Sequence, residues 1–410
     1  MNTASNSGED EIKSWLKCAL AKENLVDFTV TRTGNSEKGD GYMGEVIFVT
    51  VSGLTKNNSS QVYHLVLKCS KRSQALRESV PVKASFENEI NLYMDILPVF
   101  RKFAADKGIT DVFDSVPKCY GSFTAEDLEV VVLENLKIKN YYLFDRTKPL
   151  PRDHLKLLLE QYGKFHATSA AIKDQQPDTF KRVVEGIQDV WEIFTEKTDA
   201  TKFFQHPLDE AYELLKSELT PEVADKLKNF KNQISYILKE LIYDARHFFV
   251  ITHGDCWNNN FMFKSEGENG KSLKVAMLDW QTTRVCSPAV DVSYFILACS
   301  SEEDLIHCDD LLKIYYNSFS KQLKKLGSDA ETILPFPQFL NDFKLFGKYG
   351  FMLTALAVKA ALSDKDEAPD IAETAISGFE ETFSYKIKNQ SSLKSRMLYI
   401  VKQAAEQGIL

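Results

Sequence analysis

Val250-Ile251-Thr252-His253-Gly254-Asp255-Cys256-Trp257-Asn258-Asn259-Asn260-Phe261-Met262-Phe263 sets a His-Gly-Asp triplet behind one apolar run, and an asparagine five residues past the aspartate, just before a second apolar run. Read as a short loop between two strands, the stretch turns the Asp255 and Asn260 side chains toward one point. A carboxylate that orients a hydroxyl and an amide oxygen that binds Mg²⁺ are what phosphoryl transfer asks of such a loop. The assignment then depends on partners elsewhere in the chain.

Outward from this stretch, 410 residues are enough for a large core and for two domains or one two-lobed unit. A formal charge of -8 argues against nucleic acid as a partner, because phosphate backbones are held by basic surfaces. The first eleven residues are polar and acidic, unlike a secretory signal. The apolar run Phe351 to Leu362 is interrupted by Lys359 and is too short to span a bilayer, so it reads as a buried helix and no membrane association is expected. Seven cysteines, an odd number without a Cys-x-x-Cys pair, suggest reduced thiols and a cytoplasmic protein. His307-Cys308-Asp309-Asp310 is not read as a metal site, since adjacent residues on a helix point in different directions.

Residues 25 to 33 alternate as a strand, and Glu45 to Val51 form a second. Between them Gly39-Asp40-Gly41-Tyr42-Met43-Gly44 fits G-x-G-x-x-G by letter, but a strand follows where a dinucleotide fold needs a helix. Gly39, Gly41 and Gly44 therefore read as a hairpin over nucleotide phosphates or as a plain flexible turn. Gln61 to Cys69 is a third strand, with Val62, His64, Val66 and Lys68 on one face. Lys68 there can reach α- and β-phosphates while Val66 packs on an adenine ring; the plainer alternative is a lysine leaving a strand end for solvent. Lys83 to Leu97 carries Phe86, Ile90, Tyr93 and Leu97 at helical spacing, with Pro98 as its stop and Glu89 beside the stripe, placed to pair with Lys68 or to sit in solvent. Strands near 116–123 and 128–133 complete a small lobe of five strands and one helix. Glu134-Asn135-Leu136 follow as a connector whose backbone can meet an adenine edge.

Beyond residue 150 the pattern is mainly helical, beginning at Pro151-Arg152-Asp153. His166, beside an apolar stripe, reads as a buried histidine bonded to the catalytic loop. The aromatics Tyr141, Tyr142, Phe144, Trp191, Phe194, Phe203, Phe204 and Tyr212 are core or the lining of an acceptor pocket. A helix is expected from about Pro221 to Asp244, and others around 302–326, 335–362, 368–388 and 391–407. Asp279, where a strand leaves the sheet, is placed as a second Mg²⁺ ligand, and Asp291 as a helix cap or a brace for the loop.

The order glycine-rich hairpin, Lys68, Glu89, His253-Gly254-Asp255 with Asn260, and Asp279 resembles the aminoglycoside-phosphotransferase and choline-kinase group of protein-kinase-like folds. Trp257, Asn259-Asn260, Met262-Phe263, Asp279 with Gln281, Phe165-His166-Ala167, and Ser287-Pro288 with Asp291 resemble more narrowly the insect ecdysteroid kinase-like family. Cys256 stands where that family commonly has Leu, and Trp280 where it commonly has Phe. The resemblance implies an α+β, two-lobed protein-kinase-like fold: a small antiparallel-sheet lobe over residues 1–136 with one key helix, and a large helical lobe over 137–410 with catalytic loop and acceptor pocket. It implies ATP and Mg²⁺ as cofactors, and transfer of the γ-phosphate to a hydroxyl of an ecdysteroid or similar apolar alcohol by a monomer. Asp255, Asn260 and Asp279 would be catalytic, the last two holding the metal.

Four rivals stand beside it: a nucleotide-binding pseudokinase scaffold, which has no chemical need for Lys68, Asp255, Asn260 and Asp279 together; a dinucleotide oxidoreductase, which fails if the segment after Gly44 is a strand; a kinase of another small alcohol, such as choline or a xenobiotic; and a protein kinase. The last lacks Asp-Phe-Gly and Ala-Pro-Glu signatures, and Asp279-Trp280-Gln281 runs quickly to Asp291.

Overall fold

A computed structural model describes residues 8–35, 43–198, 200–244, 246–267, 272–364, 366–367 and 385–410. Gly39 and Gly41, and most of the helix expected over 368–388, lie outside them.

The small lobe comprises α1 (Glu9–Ala19), β1 (Leu25–Asn35), β2 (Gly44–Thr55), β3 (Ser60–Ser70), α2 (Gln74–Ser79), α3 (Val82–Asn91), α4 (Leu97–Ala105), β4 (Cys119–Ala125) and β5 (Leu128–Glu134). Its strands form an antiparallel sheet in the order β1-β2-β3-β5-β4. The period of two along β3 sorts its residues as expected. Leu65, Leu67 and Cys69 are buried on one face, while Val66 and Lys68 face the other and remain partly accessible.

α1 is an addition to the one-helix lobe. Ile12, Trp15, Leu16 and Ala19 recur at helical spacing and are buried against Val49, Val51, Leu65, Leu67, Val130 and Val132. The sheet would otherwise expose this apolar face, so α1 serves as its cover. Trp15 also stacks near Phe123, with ring centroids 6.4 Å apart.

Pro98 does not stop the helix that carries Glu89. A π turn over Leu92–Ile96 bonds the Leu97 N–H to the Leu92 carbonyl, and the chain continues as α4 with Pro98 in its first turn. The wider turn moves preceding carbonyls off the pyrrolidine ring, and a missing N–H costs little in a first turn.

The large lobe follows a 3₁₀ turn at Leu136–Lys139 and contains β6 (Tyr142–Leu143), α5 (Arg152–Gln175), α6 (Pro177–Val184), α7 (Val190–Lys197), α8 (Ala200–Leu215), α9 (Pro221–Phe230), α10 (Ile234–Lys239), β7 (Val250–Thr252), β8 (Phe261–Glu266), β9 (Ser272–Met277), β10 (Arg284–Cys286), α11 (Pro288–Cys299), α12 (Glu302–Ile306), α13 (Cys308–Lys325), α14 (Ala330–Ile333), α15 (Phe336–Leu362) and α16 (Gln390–Glu406). The helix expected from Pro221 to Asp244 is two short helices with 3₁₀ turns at Lys231–Gln233 and Leu241–Tyr243, because Phe230, Ile234, Ile237 and Leu241 must all reach one core. The helix expected over 302–326 breaks at His307. α15, 27 residues long, is apolar enough to cross a membrane by length and composition, yet most of its apolar surface is buried inside the protein.

One continuous core joins α3, α4 and β5 to the large lobe through Phe86, Tyr93, Phe113, Leu133, Phe165 and Trp280. The Glu89 helix thus packs on the large lobe as well as beneath the sheet. Because α1 covers a face that belongs to a separate apolar cluster, Trp15→Ala should cost about 3–5 kcal/mol of stability in urea unfolding; a loss below about 1 kcal/mol would mean that the sheet does not depend on this helix.

Candidate active site

Lys68 Nζ lies 2.7 Å from Glu89 Oε2 and 2.6 Å from Asp279 Oδ1. Strand β3 supplies the lysine, α3 the first carboxylate and the turn after β9 the second. Glu89 is buried, so it is no solvated helix charge. Burial alone disfavours the ammonium, but Asp279 and Glu89 outweigh it and hold the Lys68 pKa above its ordinary value. Burial pushes the Glu89 carboxyl upward against the pull of Lys68.

Asp279 has φ 60°, a left-handed backbone that aspartate tolerates better than most residues. This twist sends neighbouring side chains in opposite directions. Trp280 packs inward on Phe113, Phe165 and His253, whereas Asp279 stays partly exposed beside Lys68.

The catalytic-loop candidate is held mainly by backbone contacts. Asp291 Oδ2 accepts from His253 N at 2.6 Å and Oδ1 from Gly254 N at 2.9 Å. His166 Nε2 donates to the same carboxylate at 3.1 Å, and its Nδ1 bonds Tyr315 at 3.0 Å. Burial opposes the charge on Asp291, but these bonds prevail and hold its carboxyl below the usual range. Asp291 is therefore a brace, and Ser287 is the cap of α11. His166 is buried and reaches the loop through Asp291 rather than directly.

Gly254 has φ 88°, and a Cβ there would stand 2.3 Å from the Thr282 carbonyl oxygen, so only glycine fits. His253 Nε2 donates to Leu278 O at 2.9 Å, and Nδ1 accepts from Asp255 N at 3.1 Å. A neutral ring satisfies both contacts, and burial lowers its pKa accordingly. His253 is thus a strut within the loop.

Asp255 Oδ2 accepts from Asn260 Nδ2 at 2.8 Å and from Trp257 Nε1 at 3.2 Å, while Oδ1 accepts from Tyr294 O–H at 3.3 Å. Asn260 Nδ2 also donates to Asp255 O, which turns the amide oxygen away from Asp255. Burial, and then the nearby Asp279, raise the Asp255 carboxyl to about 7 against these three donors.

A cavity of about 210 Å³ has both Asp255 and Asp279 in its lining. Trp191 and Phe194 of α7, Phe203 of α8 and Leu353 of α15 make much of the rest apolar. Of the other aromatics singled out, Phe204 is buried in the core, Tyr141 joins a small cluster with Leu136, Met262 and Ala276, and Tyr142, Phe144 and Tyr212 do not line the cavity.

The connector is tied largely to its own lobe. Glu134 N donates to Lys118 O and Asn135 N to His64 O, and the Glu134 carboxylate pairs with Lys139. The Asn135 side chain caps the following 3₁₀ turn. Gly44 is buried at the start of β2, where a Cβ would meet the Cys69 carbonyl at 2.5 Å and Phe86 at 2.7 Å. Close packing accounts for that glycine.

Several site residues escaped sequence reading. Asn88, next to Glu89, donates to Gln188 O at 2.8 Å and to Gln281 O and Thr283 O at 3.2 Å, and accepts from Gln188 N at 2.8 Å. It fastens the Glu89 helix to the turn after Asp279. Buried Arg284 reaches Asp189 at 2.5 Å, and Asp189 caps α7, so strand β10 anchors the aromatic wall. Tyr294 had one signal, its position a helical turn past Asp291.

The family model for the ecdysteroid kinase-like family matches residues 38–328. The chain belongs to that family. With the Lys68–Glu89–Asp279 arrangement, membership makes it a kinase-like small-molecule phosphotransferase with a two-lobed, protein-kinase-like α+β fold. No curated protein matches it. Solved structures with a similar chain course include the ethanolamine kinase of Plasmodium vivax, at 11% identity and TM-score 0.42 over 97% of this chain and 89% of that one. The GDP complex of wild-type aminoglycoside 2'-phosphotransferase-IIIa is similar at 12% identity and TM-score 0.44, over 97% and 99%. Agreement of that degree is loose, and the assignment stands on the family and the site geometry.

The raised Asp255 pKa carries a sign for stability. Between the ordinary carboxyl value and about 7 the folded state binds this proton more tightly than the unfolded chain, so stability falls as pH rises through that window. In the metal-free protein, Asp255→Asn should raise Tm at pH 8 and change it little at pH 5, where the native carboxyl is already neutral; equal shifts at both values would contradict the assignment.

Proposed function

We propose that the protein transfers the γ-phosphate of ATP to a hydroxyl of an ecdysteroid or a similar largely apolar alcohol. The observation that carries this reading is the opening of the Asp255 carboxylate into an aromatic and aliphatic cavity that also borders Asp279. An apolar body gains from burial there, and its hydroxyl is presented to the base.

Lys68, braced by Glu89, would neutralise the α- and β-phosphates. The adenine would lie between Val66 and the cluster of Leu136 with Met262, against the Glu134-Asn135-Leu136 connector. The donor set fits Mg²⁺: the Asn260 amide oxygen, turned away from Asp255, and the Asp279 carboxylate are hard oxygen ligands, few in number, as suits an ion that keeps water and phosphate ligands. When bound there, the ion would supply charge neutralisation across the phosphates.

Asp255 would orient the acceptor and take its proton. As the alcohol oxygen bonds to the γ-phosphorus, its proton passes to Asp255, and the bridging oxygen leaves on ADP with the electron pair of the broken P–O bond. The transition state is loose, so the proton moves late and alignment supplies most of the benefit.

Incubation with Mg-ATP and, separately, ecdysone, cholesterol, choline and ethanolamine, followed by mass spectrometry, tests the proposal. Ecdysone should gain one phosphate, and Asp255→Asn should slow that reaction about 10²–10⁴-fold. Preference for choline or ethanolamine would reject the apolar acceptor, and nucleotide binding without any phosphorylated product would support the scaffold. Because the protonated carboxyl cannot accept the proton, kcat/KM should show an acid limb that falls about tenfold per unit once Asp255 is protonated; an acid limb that persists unchanged in Asp255→Asn would remove Asp255 from this role.

A further inference from the structure

The two oxygens of Asp255 are not equivalent. Oδ2 is held from two sides, by Asn260 Nδ2 at 2.8 Å and Trp257 Nε1 at 3.2 Å. Oδ1 meets the Tyr294 O–H at 3.3 Å, long beside the ordinary O–H···O bond of about 2.7–2.8 Å. A carboxylate oxygen has room for another donor beyond one long bond. Oδ1 is therefore the oxygen open to an incoming hydroxyl.

Tyr294 is fixed by the same element that fixes the loop. It lies on α11, three residues past Asp291, and every residue of that helix is buried. The ring is only 4% exposed, yet Tyr294 lines the cavity with Asp255 and Trp257. Its hydroxyl can swing about the Cζ–Oη bond but cannot travel, because the helix and the ring packing hold it.

Resting on the kinase reading above, we propose that the acceptor's hydroxyl seats between Asp255 Oδ1 and the Tyr294 phenol oxygen, so that Tyr294 touches the reacting alcohol and fixes which hydroxyl is presented. In the resting protein the phenol O–H stands in for the alcohol at Oδ1. When an alcohol enters, its O–H takes Oδ1, and the phenol turns to donate to one lone pair of the alcohol oxygen. The other lone pair forms the bond to phosphorus. The alcohol's proton goes to Oδ1, the leaving oxygen keeps its electron pair on ADP, and Tyr294 retains its own proton throughout.

This seat explains why the only hydroxyl bonded to Asp255 among the described residues also lines the cavity. It also makes the requirement on the acceptor geometric. A polyhydroxylated alcohol must bring one oxygen within reach of two groups held by different segments, the loop and α11, and a single base would discriminate less.

Tyr294→Phe removes one O–H and keeps the ring. With the best acceptor from the ecdysone, cholesterol, choline and ethanolamine panel, kcat should fall about 10–100-fold, the loss expected for one hydrogen bond to a reacting group. The acceptor KM should stay within about threefold, since the bond acts by aligning one hydroxyl for attack and adds little to the burial that binds the body of the acceptor. Tm should be unchanged, and adding Tyr294→Phe to Asp255→Asn should produce no further loss. If ecdysone is the acceptor, the phosphate should spread over more than one hydroxyl in the variant. Native turnover by Tyr294→Phe, or a loss that parallels a drop in Tm, would overturn the seat. No product from the native protein would instead defeat the kinase reading on which the seat rests, and the two failures are told apart by the native control.

Discussion

One ammonium between two carboxylates ties the structure together. Lys68 draws Glu89 from α3 and Asp279 from the large lobe to within 2.7 Å of one nitrogen. A buried carboxylate is costly unless a cation answers it, and a buried ammonium equally so. β3, α3 and the turn after β9 must therefore hold their positions together. Asn88 adds a second tie, binding the Glu89 helix to the carbonyls of Gln281 and Thr283. The helix is fixed by hydrogen bonds on one residue and by charge on the next.

The loop from His253 to Asn260 obeys a different constraint. It is short, it turns through a left-handed glycine, and its backbone N–H groups point inward where no strand receives them. Asp291 accepts two of them, and His166 with Tyr315 keeps that carboxylate in place. Burial of this network makes each bond strong and each omission expensive. The loop can then expose Asp255 at the cavity without itself being loose.

Much of the small lobe was legible in sequence because strand and helix periodicities are local. The alternation along β3 put Val66 and Lys68 on one face, opposite Leu65 and Leu67, and Asp255, Asn260 and Asp279 could be singled out because their chemistry is tied to spacing. α1 carried the same kind of signal in Ile12, Trp15, Leu16 and Ala19, but the polar residues before it masked the pattern. Pro98 misled for a physical reason: a proline stops a regular helix, and only the neighbouring turn decides whether the helix widens to admit it.

By itself the sequence determined which residues could do phosphate chemistry and in what order they came, because residue type and short-range periodicity are properties of neighbours in the chain. Only the tertiary structure decided which of them meet. The burial of Glu89, the brace role of Asp291, and the choice of Trp191, Phe194 and Phe203 over Tyr141, Tyr142 and Phe144 as cavity lining all depend on contacts between segments far apart in the chain. The two oxygens of Asp255 are alike in sequence. They became different when Asn260 and Trp257 closed on one of them and α11 brought Tyr294 to the other.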